Sequence, residues 1–342
     1  MDVRGKRVFV GLSGGVDSAV TAALLKERGA RVTGVFIKGW YPPGMPCTWA
    51  EDRRDAMRVA ARLGIPFHTL DASAEYKQGV IDYLLSEYRA GRTPNPDVMC
   101  NREVKFGAFL RFAKAAGADA IATGHYARIE DGVLLRGIDA AKDQSYFLWA
   151  VPKDALSMTL MPLGSMHKDE TRRLARKHRL PNAAKKDSQG ICFLGSISVE
   201  EFLINELGAQ QEGEAVDDSG NAVGRHRGAV LSTLGERVTL RSAAPGPWFV
   251  VGKDIAANRL VVSKEPRSDR ASDRIALTQQ NWLEEPSERT LMAQYRYHGP
   301  CVEGYMREGS FMPAAALPEP LAAGQSLVLY DGTCLVGGGI IS

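Results

Sequence analysis

Residues 8–18 read Val8-Phe9-Val10-Gly11-Leu12-Ser13-Gly14-Gly15-Val16-Asp17-Ser18, an apolar run that passes through a Gly/Ser turn into a helical pattern. Arg7 to Val10 predicts a buried strand, and Ser18 to Arg28 a helix closed by Gly29. A strand, a Gly/Ser turn and a helix start aim successive backbone N–H groups and the positive helix end at one point, which suits phosphate. Gly14 and Gly15 leave the backbone open to an anion. Ser13 and Ser18 offer hydroxyl donors, and Asp17 is placed to hold a magnesium ion against phosphate oxygens. The Gly-Lys-Ser/Thr ending of a Walker A loop is absent, and the spacing is not the dinucleotide GxGxxG. The plainer reading of the same residues is a tight turn with Ser or Asp as helix N-cap.

Working outward, Arg31 to Ile37, Pro66 to Leu70 and Ala120 to Thr123 predict further strands, and Asp52 to Leu63 and Val104 to Ala116 predict helices. Strand alternating with helix predicts an α/β fold with a parallel, doubly wound sheet. After about Gly195 the texture changes to short β-like runs, among them Arg237 to Leu240, Trp248 to Val251, Arg259 to Val262 and Ser326 to Tyr330, separated by Gly, Pro, Asn and Asp. The expected organisation is a catalytic domain over 1–200, a central β domain over 201–270 and a barrel-like β domain over 271–342, with the charged stretch Ser263 to Arg274 as a linker.

Composition narrows the class. With 342 residues, 44% apolar and 24% charged, the chain suits two or three globular domains. No stretch has the apolar length of a signal peptide or a bilayer span, so a cytoplasmic protein without membrane contact is expected. A net charge of +3 permits an RNA partner without pointing to one. The five cysteines, Cys47, Cys100, Cys192, Cys301 and Cys334, are widely spaced and lack zinc-site spacing. No metal site is expected, and a reactive pair would be catalytic or redox-active.

Two of these cysteines stand in marked contexts. Thr93-Pro94-Asn95-Pro96-Asp97-Val98-Met99-Cys100 is a proline-braced loop running into a helix, so Cys100 should feel the positive helix end, which favours thiolate. Asp97 lies close enough to act as acid or base near the same atom. Lys185-Lys186-Asp187-Ser188-Gln189-Gly190-Ile191-Cys192 sets the second cysteine after two lysines, which again favours thiolate. Taken alone, a cysteine placed like Cys100 is more often a small buried hydrophobe, and Cys192 is as consistent with an ordinary strand or turn cysteine.

Together the pieces resemble one family. SGGVDS (13–18), GRTPNPDVMCNREVKF, TGHYAR, KDQSYFL, MPLG, KKDSQGICFLG and the terminal GQSLVLYDGTCLVGGGII stand in the order seen in bacterial tRNA-specific 2-thiouridylases, across nearly the whole chain. The resemblance implies an adenine nucleotide alpha hydrolase-like sheet and an enzyme in which ATP adenylates the 2-carbonyl oxygen of the wobble uridine. A protein relay would deliver persulfide sulfur to Cys192, and Cys100 would attack that persulfide and end in a disulfide with Cys192. It further implies ATP contacts at Gly11, Leu12, Ser13, Gly14, Gly15, Val16, Asp17, Ser18, Ile37 and Gly124. Asn95, Pro96 and Asp97 match residues around a flipped base, and His125, Lys142, Asp143, Gln144, Arg296, Tyr297 and Gln325 match tRNA contacts.

One region departs from the family. Where a YTIGQRxGLGIGG-like run is usual, this chain has Leu231-Ser232-Thr233-Leu234-Gly235-Glu236-Arg237-Val238-Thr239-Leu240. Arg225, His226, Arg227, Arg237 and Arg241 are the expected replacement phosphate contacts. Two other functions share some of these features. A small-molecule ligase of the argininosuccinate- or GMP-synthetase type would use SGGVDS but needs neither cysteine loop. An inactive tRNA-binding module would not retain the loop and both cysteines.

Overall fold

The computed structural model describes residues 2–42, 49–187, 197–208, 210–241, 245–266, 274–286 and 289–342. The first sheet is built from β1 (Arg7–Gly11), β2 (Arg31–Lys38), β3 (Phe67–Asp71), β4 (Ala120–Ala122) and β7 (Thr159–Leu160), all parallel, in the order β3-β2-β1-β4-β7. Alternate residues of β1 face opposite sides. Phe9 packs into a core with Val35 and Ile121, while Val8 and Val10 pack into a second core with Val32 and Ala120. The chain crosses from β1 outward to β3 and returns on the other side at β4, so the switch in strand order lies between β1 and β4. That is where ligands bind in open α/β sheets.

Helix α1 (Val16–Glu27) starts two residues before the expected Ser18, with Gly15 as N-cap and no side-chain cap, which removes the Ser/Asp N-cap reading. Gly29, at φ +85°, closes it as expected. Helix α2 spans Trp49–Leu63. Helices α3 (73–89) and α4 (96–115) each contain a wide π-type segment, Lys77–Asp82 and Cys100–Ala108, and the two segments pack on each other. The expected helix start at Val104 is thus too late. Asn95 is the N-cap, its side chain accepting from the N–H groups of Asp97 and Val98, and Pro96 takes the first helical position, where a missing N–H costs nothing. Helix α5 spans Lys168–Lys177.

Two β units follow. The central sheet comprises β8 (Gly213–Val216), β9 (Ala222–His226), β10 (Arg237–Val238), β11 (Trp248–Asp254) and β12 (Arg259–Ser263), ordered β10-β11-β12-β8-β9. The last unit has β13 (Ile275–Trp282), β14 (Leu291–Gln294), β15 (Cys301–Arg307), β16 (Ser310–Pro313), β17 (Ser326–Asp331) and β18 (Cys334–Ile341), and pairing of β13 with β18 closes it into a barrel. Of the linker stretch, residues 267–273 lie outside the described residues.

The barrel is not a separate bead. The hairpin β5 (Ala127–Glu130) and β6 (Val133–Arg136), which the sequence reading missed, joins β18 through Leu135 and Cys334. Val328, Tyr330, Leu335 and Ile340 of the barrel share the first domain's core with Trp149. Asn281 donates to the carbonyl of Trp149 at 2.7 Å, and the Tyr146 hydroxyl donates to that of Ser326 at 2.9 Å. Gly338 lies against this seam, where a Cβ would sit 2.6 Å from the Leu327 oxygen and 3.2 Å from the Trp149 ring. Gly338→Ala should therefore cost about 1–3 kcal/mol by overpacking, seen as a lower urea midpoint in one shared transition. Two separate transitions in the wild type would show that barrel and first domain fold independently.

Candidate nucleotide and base site

The loop after β1 is shaped from outside. Gly14 has φ +79°, and a Cβ there would collide with the Asp52 carbonyl of α2. Leu12 is buried and its N–H donates to the Val35 oxygen of β2 at 2.8 Å. The Asn182 amide donates to the carbonyls of Gly14 and Gly15 at 2.9 and 3.0 Å, turning those oxygens away from the mouth of the loop. The Ser13 N–H donates to Ser18 Oγ, which in turn donates to the Gly15 carbonyl, both at 3.2 Å, so the Ser18 hydroxyl braces the loop. Gly124, just beyond β4, packs on the first turn of α1, where a Cβ would be 2.8 Å from the Ser18 nitrogen. Ile37 flanks the loop, its Cδ1 3.9 Å from a Cβ placed on Gly11.

Asp17 is not a bare carboxylate. Lys168 Nζ lies 2.7 and 2.8 Å from its two oxygens, and the Tyr126 hydroxyl is 3.0 Å from Oδ1. Lys168 also pairs with Asp187 at 2.9 Å, and Asp187 takes Lys142 at 3.0 Å and Arg172 as well. Burial raises the proton affinity of Asp187, but hydrogen bonds from Lys168 and Lys142 outweigh it and bring its pKa down to about 2. Lys185 bridges Asp52 and Asp55 of α2 at 2.8 Å each. Its charge is compensated there. Cys192 lies outside the described residues, as does Cys47.

The second half of the site is drier. Cys100 is 4% exposed and sits in the second turn of α4, past the first turn where a helix dipole acts. The end-of-helix argument for its thiolate therefore loses most of its force. Asp97 is half-buried in the first turn. Desolvation raises its pKa, against the opposing pull of Lys105. His125 is buried, with Nδ1 2.8 Å from the Thr123 hydroxyl, and its pKa falls well below the usual histidine value through burial and then Lys105. It is neutral. Lys105 thus acts on both Asp97 and His125, and His125 follows Gly124, which packs on the start of α1 behind the loop, so the two halves of the site meet there.

The other matched positions are mostly engaged within the chain. Asp143 is buried, pairs with Arg136 at 3.2 Å and accepts from the Gly137 and Ser145 N–H groups and the Ser145 hydroxyl. Gln144 accepts from the Tyr126 N–H, and Arg296 donates to the Pro320 carbonyl. Tyr297 is 38% exposed and stacks at 4.4 Å on Phe147. Gln325 donates to the Thr93 carbonyl at 2.7 Å. In the central sheet Arg225 and Arg241 pair with Glu212, and Arg227 with Glu200. His226 is 3% exposed, and burial lowers its proton affinity, so it is neutral and cannot replace a phosphate-binding cation. Arg237 is exposed.

A tRNA methyl transferase HUP domain model matches residues 6–196, a tRNA methyl transferase PRC-barrel model 200–264 and an aminomethyltransferase beta-barrel model 272–341. The tRNA-specific 2-thiouridylase MnmA of Stenotrophomonas maltophilia is 45% identical over 98% of this chain and 93% of that protein, and the one from Pseudomonas putida is 44% identical over 98% and 94%. The chain belongs to the tRNA-specific 2-thiouridylase family. The domain models carry methyl-transfer names, but the thiouridylases match from end to end. A solved 4-thiouridine synthetase–RNA complex with bound ATP aligns with TM-score 0.36 and 22% identity over 57% of this chain and 46% of that one, a likeness too slight to define the fold.

In this thiouridylase-family chain Lys168, Tyr126, Asn182 and Asp187 were not singled out from sequence. Only Tyr126 and Asp187 stood inside quoted motifs, and nothing in the spacing of Lys168 or Asn182 marks them. The raised pKa of Asp97 gives a stability test. Its folded pKa lies above the unfolded value, so its neutral form favours the native state below the ordinary carboxylate range, and that contribution is lost as pH rises through the folded pKa. Asp97→Asn should therefore raise Tm at neutral pH, and the gain should vanish in acid. A lower Tm at neutral pH would mean that the Lys105 attraction outweighs desolvation.

Proposed function

We propose that this chain is an ATP-dependent tRNA-uridine 2-sulfurtransferase, a cytoplasmic enzyme that replaces the 2-carbonyl oxygen of the wobble uridine with sulfur. The observation that carries this reading is the adjacency just described, a bare, externally braced N–H loop joined through Gly124 and His125 to a desolvated Asp97 and to Cys100. The division into a catalytic domain over 1–200, a central β domain over 201–270 and a barrel over 271–342 belongs to the same reading.

The fit to ATP is good, with the loop Gly11 to Ser18 turning the first-turn N–H groups of α1 (Val16, Asp17 and Ser18) and the Lys168 ammonium towards the place where phosphates would lie, and Ile37 and Gly124 flanking them. ATP supplies an adenylyl group to the uracil O2, with pyrophosphate as leaving group. The fit to a resident magnesium is poorer, because Asp17 is already compensated by Lys168. Magnesium enters only with the triphosphate. Asn95, Pro96 and Asp97 hold the flipped base. Asp97, its proton affinity raised, accepts a proton as the carbonyl oxygen becomes a nucleophile and returns it later. Cys100 as thiolate attacks the inner sulfur of a Cys192 persulfide. A Cys100–Cys192 disulfide forms and hydrosulfide leaves, to add at C2 as AMP departs with the oxygen. A thiol reductant must then reopen the disulfide, and a persulfide-carrying protein must reload Cys192.

The tRNA is met by Tyr297, Arg296 and Lys142 at the surface, with His125, Asp143, Gln144 and Gln325 beneath. No helix among the described residues is long and apolar enough to cross a membrane, in keeping with a tRNA-directed enzyme.

The central test loads sulfur and reads tRNA nucleosides by mass spectrometry. Cys192→Ser should accept no persulfide sulfur, whereas Cys100→Ser should be loaded yet form no 2-thiouridine. Labelled sulfur on Cys192→Ser at wild-type level would overturn the assignment.

The central domain gives a second test. Arg237→Ala should flatten the log-log salt dependence of tRNA binding by about one unit. Arg241→Ala should change it less, because Glu212 already compensates that charge. Equal, unchanged slopes would remove the central sheet from RNA contact.

A further inference from the structure

The loop that carries Asn95 and Asp97 is anchored by residues far away in sequence. Both backbone groups of Thr93 are taken by one turn of the barrel domain, its N–H donating to the Ala323 carbonyl at 2.8 Å and its carbonyl accepting from Gln325 Nε2 at 2.7 Å. Gly324, between those two partners, has φ +91°, and a Cβ there would lie 2.9 Å from the Thr93 nitrogen and 3.0 Å from Arg92 Cβ. That approach requires glycine twice over, for conformation and for space. The turn is itself fixed to β18, since Gly324 donates to the Ile341 carbonyl and Ile341 donates to that of Gln325, both at 2.8 Å.

The same short segment is gripped from two other sides. The Thr93 hydroxyl meets that of Thr233 in the central unit at 3.3 Å. Arg92 forms a two-pronged pair with Glu87 at the end of α3, and its N–H donates to the Glu87 carbonyl at 2.9 Å. Beyond Thr93 come Pro94 and Pro96, whose rings fix φ and restrict the residues before them. A displacement at Thr93 therefore passes almost rigidly to Asn95, which caps α4, and to Asp97 in its first turn.

We infer that Gln325 is a positioning residue, the barrel's hold on Thr93 that sets the base-binding loop, rather than a direct tRNA contact. One of its two amide N–H donors is committed to the Thr93 carbonyl. On this view the barrel completes the base pocket, and tRNA docked on it is held in register with Asp97. The inference rests on the function proposed above.

The full-length protein, an unmodified tRNA transcript, ATP and hydrosulfide, the species that displaces AMP in the step above, suffice to test it. Gln325→Ala should lower the kcat of tRNA-dependent AMP formation about tenfold, as expected when a reacting group is misplaced by a fraction of an ångström. The tRNA Kd and its salt slope should stay within twofold of wild type. Loosening the loop also admits water to Asp97, so the acid limb of the kcat profile should move to lower pH. Gln325→Met keeps the volume and removes only the amide, and should behave alike.

Weakened tRNA binding with unchanged kcat would identify a direct contact and overturn the inference. So would unchanged kcat and Kd together, or a loss of both. Failure of both variants to fold would make the contact a stability element and overturn it too. If the wild type itself forms no AMP with tRNA, the proposed function fails instead.

Discussion

A loop that offers the N–H groups at its helix start to an anion cannot use those groups to hold itself in shape. The turn after β1 faces this constraint, and the surrounding structure meets it. Asn182 takes two of its carbonyls, Asp52 leaves room only for a glycine at position 14, and Gly124 packs on the helix start. Lys168 and Tyr126 fix Asp17. These partners come from four separate segments, α2, the β4–β5 connection, α5 and the stretch after it, so the sheet and its helices must be assembled before the loop has its form. The binding edge is therefore a product of the fold and not of the local sequence.

Much of the frame was legible because it depends on local chemistry. The apolar run of β1, the Gly/Ser turn and Gly29 are short-range signals, and four of the five strands of the parallel sheet fell within a residue or two of their expected bounds, while the two-residue edge strand β7 was missed. The start of α4 was missed by eight residues, because two prolines read as a loop brace when one of them occupies the first helical turn. The hairpin that joins the barrel was missed for another reason. Its strands pair with residues some two hundred positions later, and no local periodicity reports that. Lys168 and Asn182 were invisible on the same ground, since an ordinary lysine and asparagine acquire their roles only through contacts across more than 150 residues.

The site contains two unlike electrostatic environments. Around Asp17 and Asp187 the charges are dense and mutually compensated, which holds Asp187 ionised down to about pH 2. Around Asp97 and His125 desolvation dominates, raising the acid and leaving the histidine neutral. The two environments push the acids apart, one held ionised among cations and the other with its proton affinity raised by burial. Lys105 tempers the second region, since its charge opposes the rise at Asp97 while adding to the fall at His125.

The same accounting bears on RNA. A net charge of +3 is small for a protein that must hold a polyanion, and many of its cations are committed to partners, including three of the four arginines named in the central unit. Affinity cannot then come mainly from counterion release, and shape and stacking must carry more of it. The exposed Tyr297, stacked on Phe147 and within the field of Asp97 and Asp143, offers such a surface beside the base loop. An enzyme built this way gains selectivity from the exactness of docking, which gives the barrel's grip on Thr93 its importance: a substrate bound mainly by fit is only as well placed as the loop that receives it.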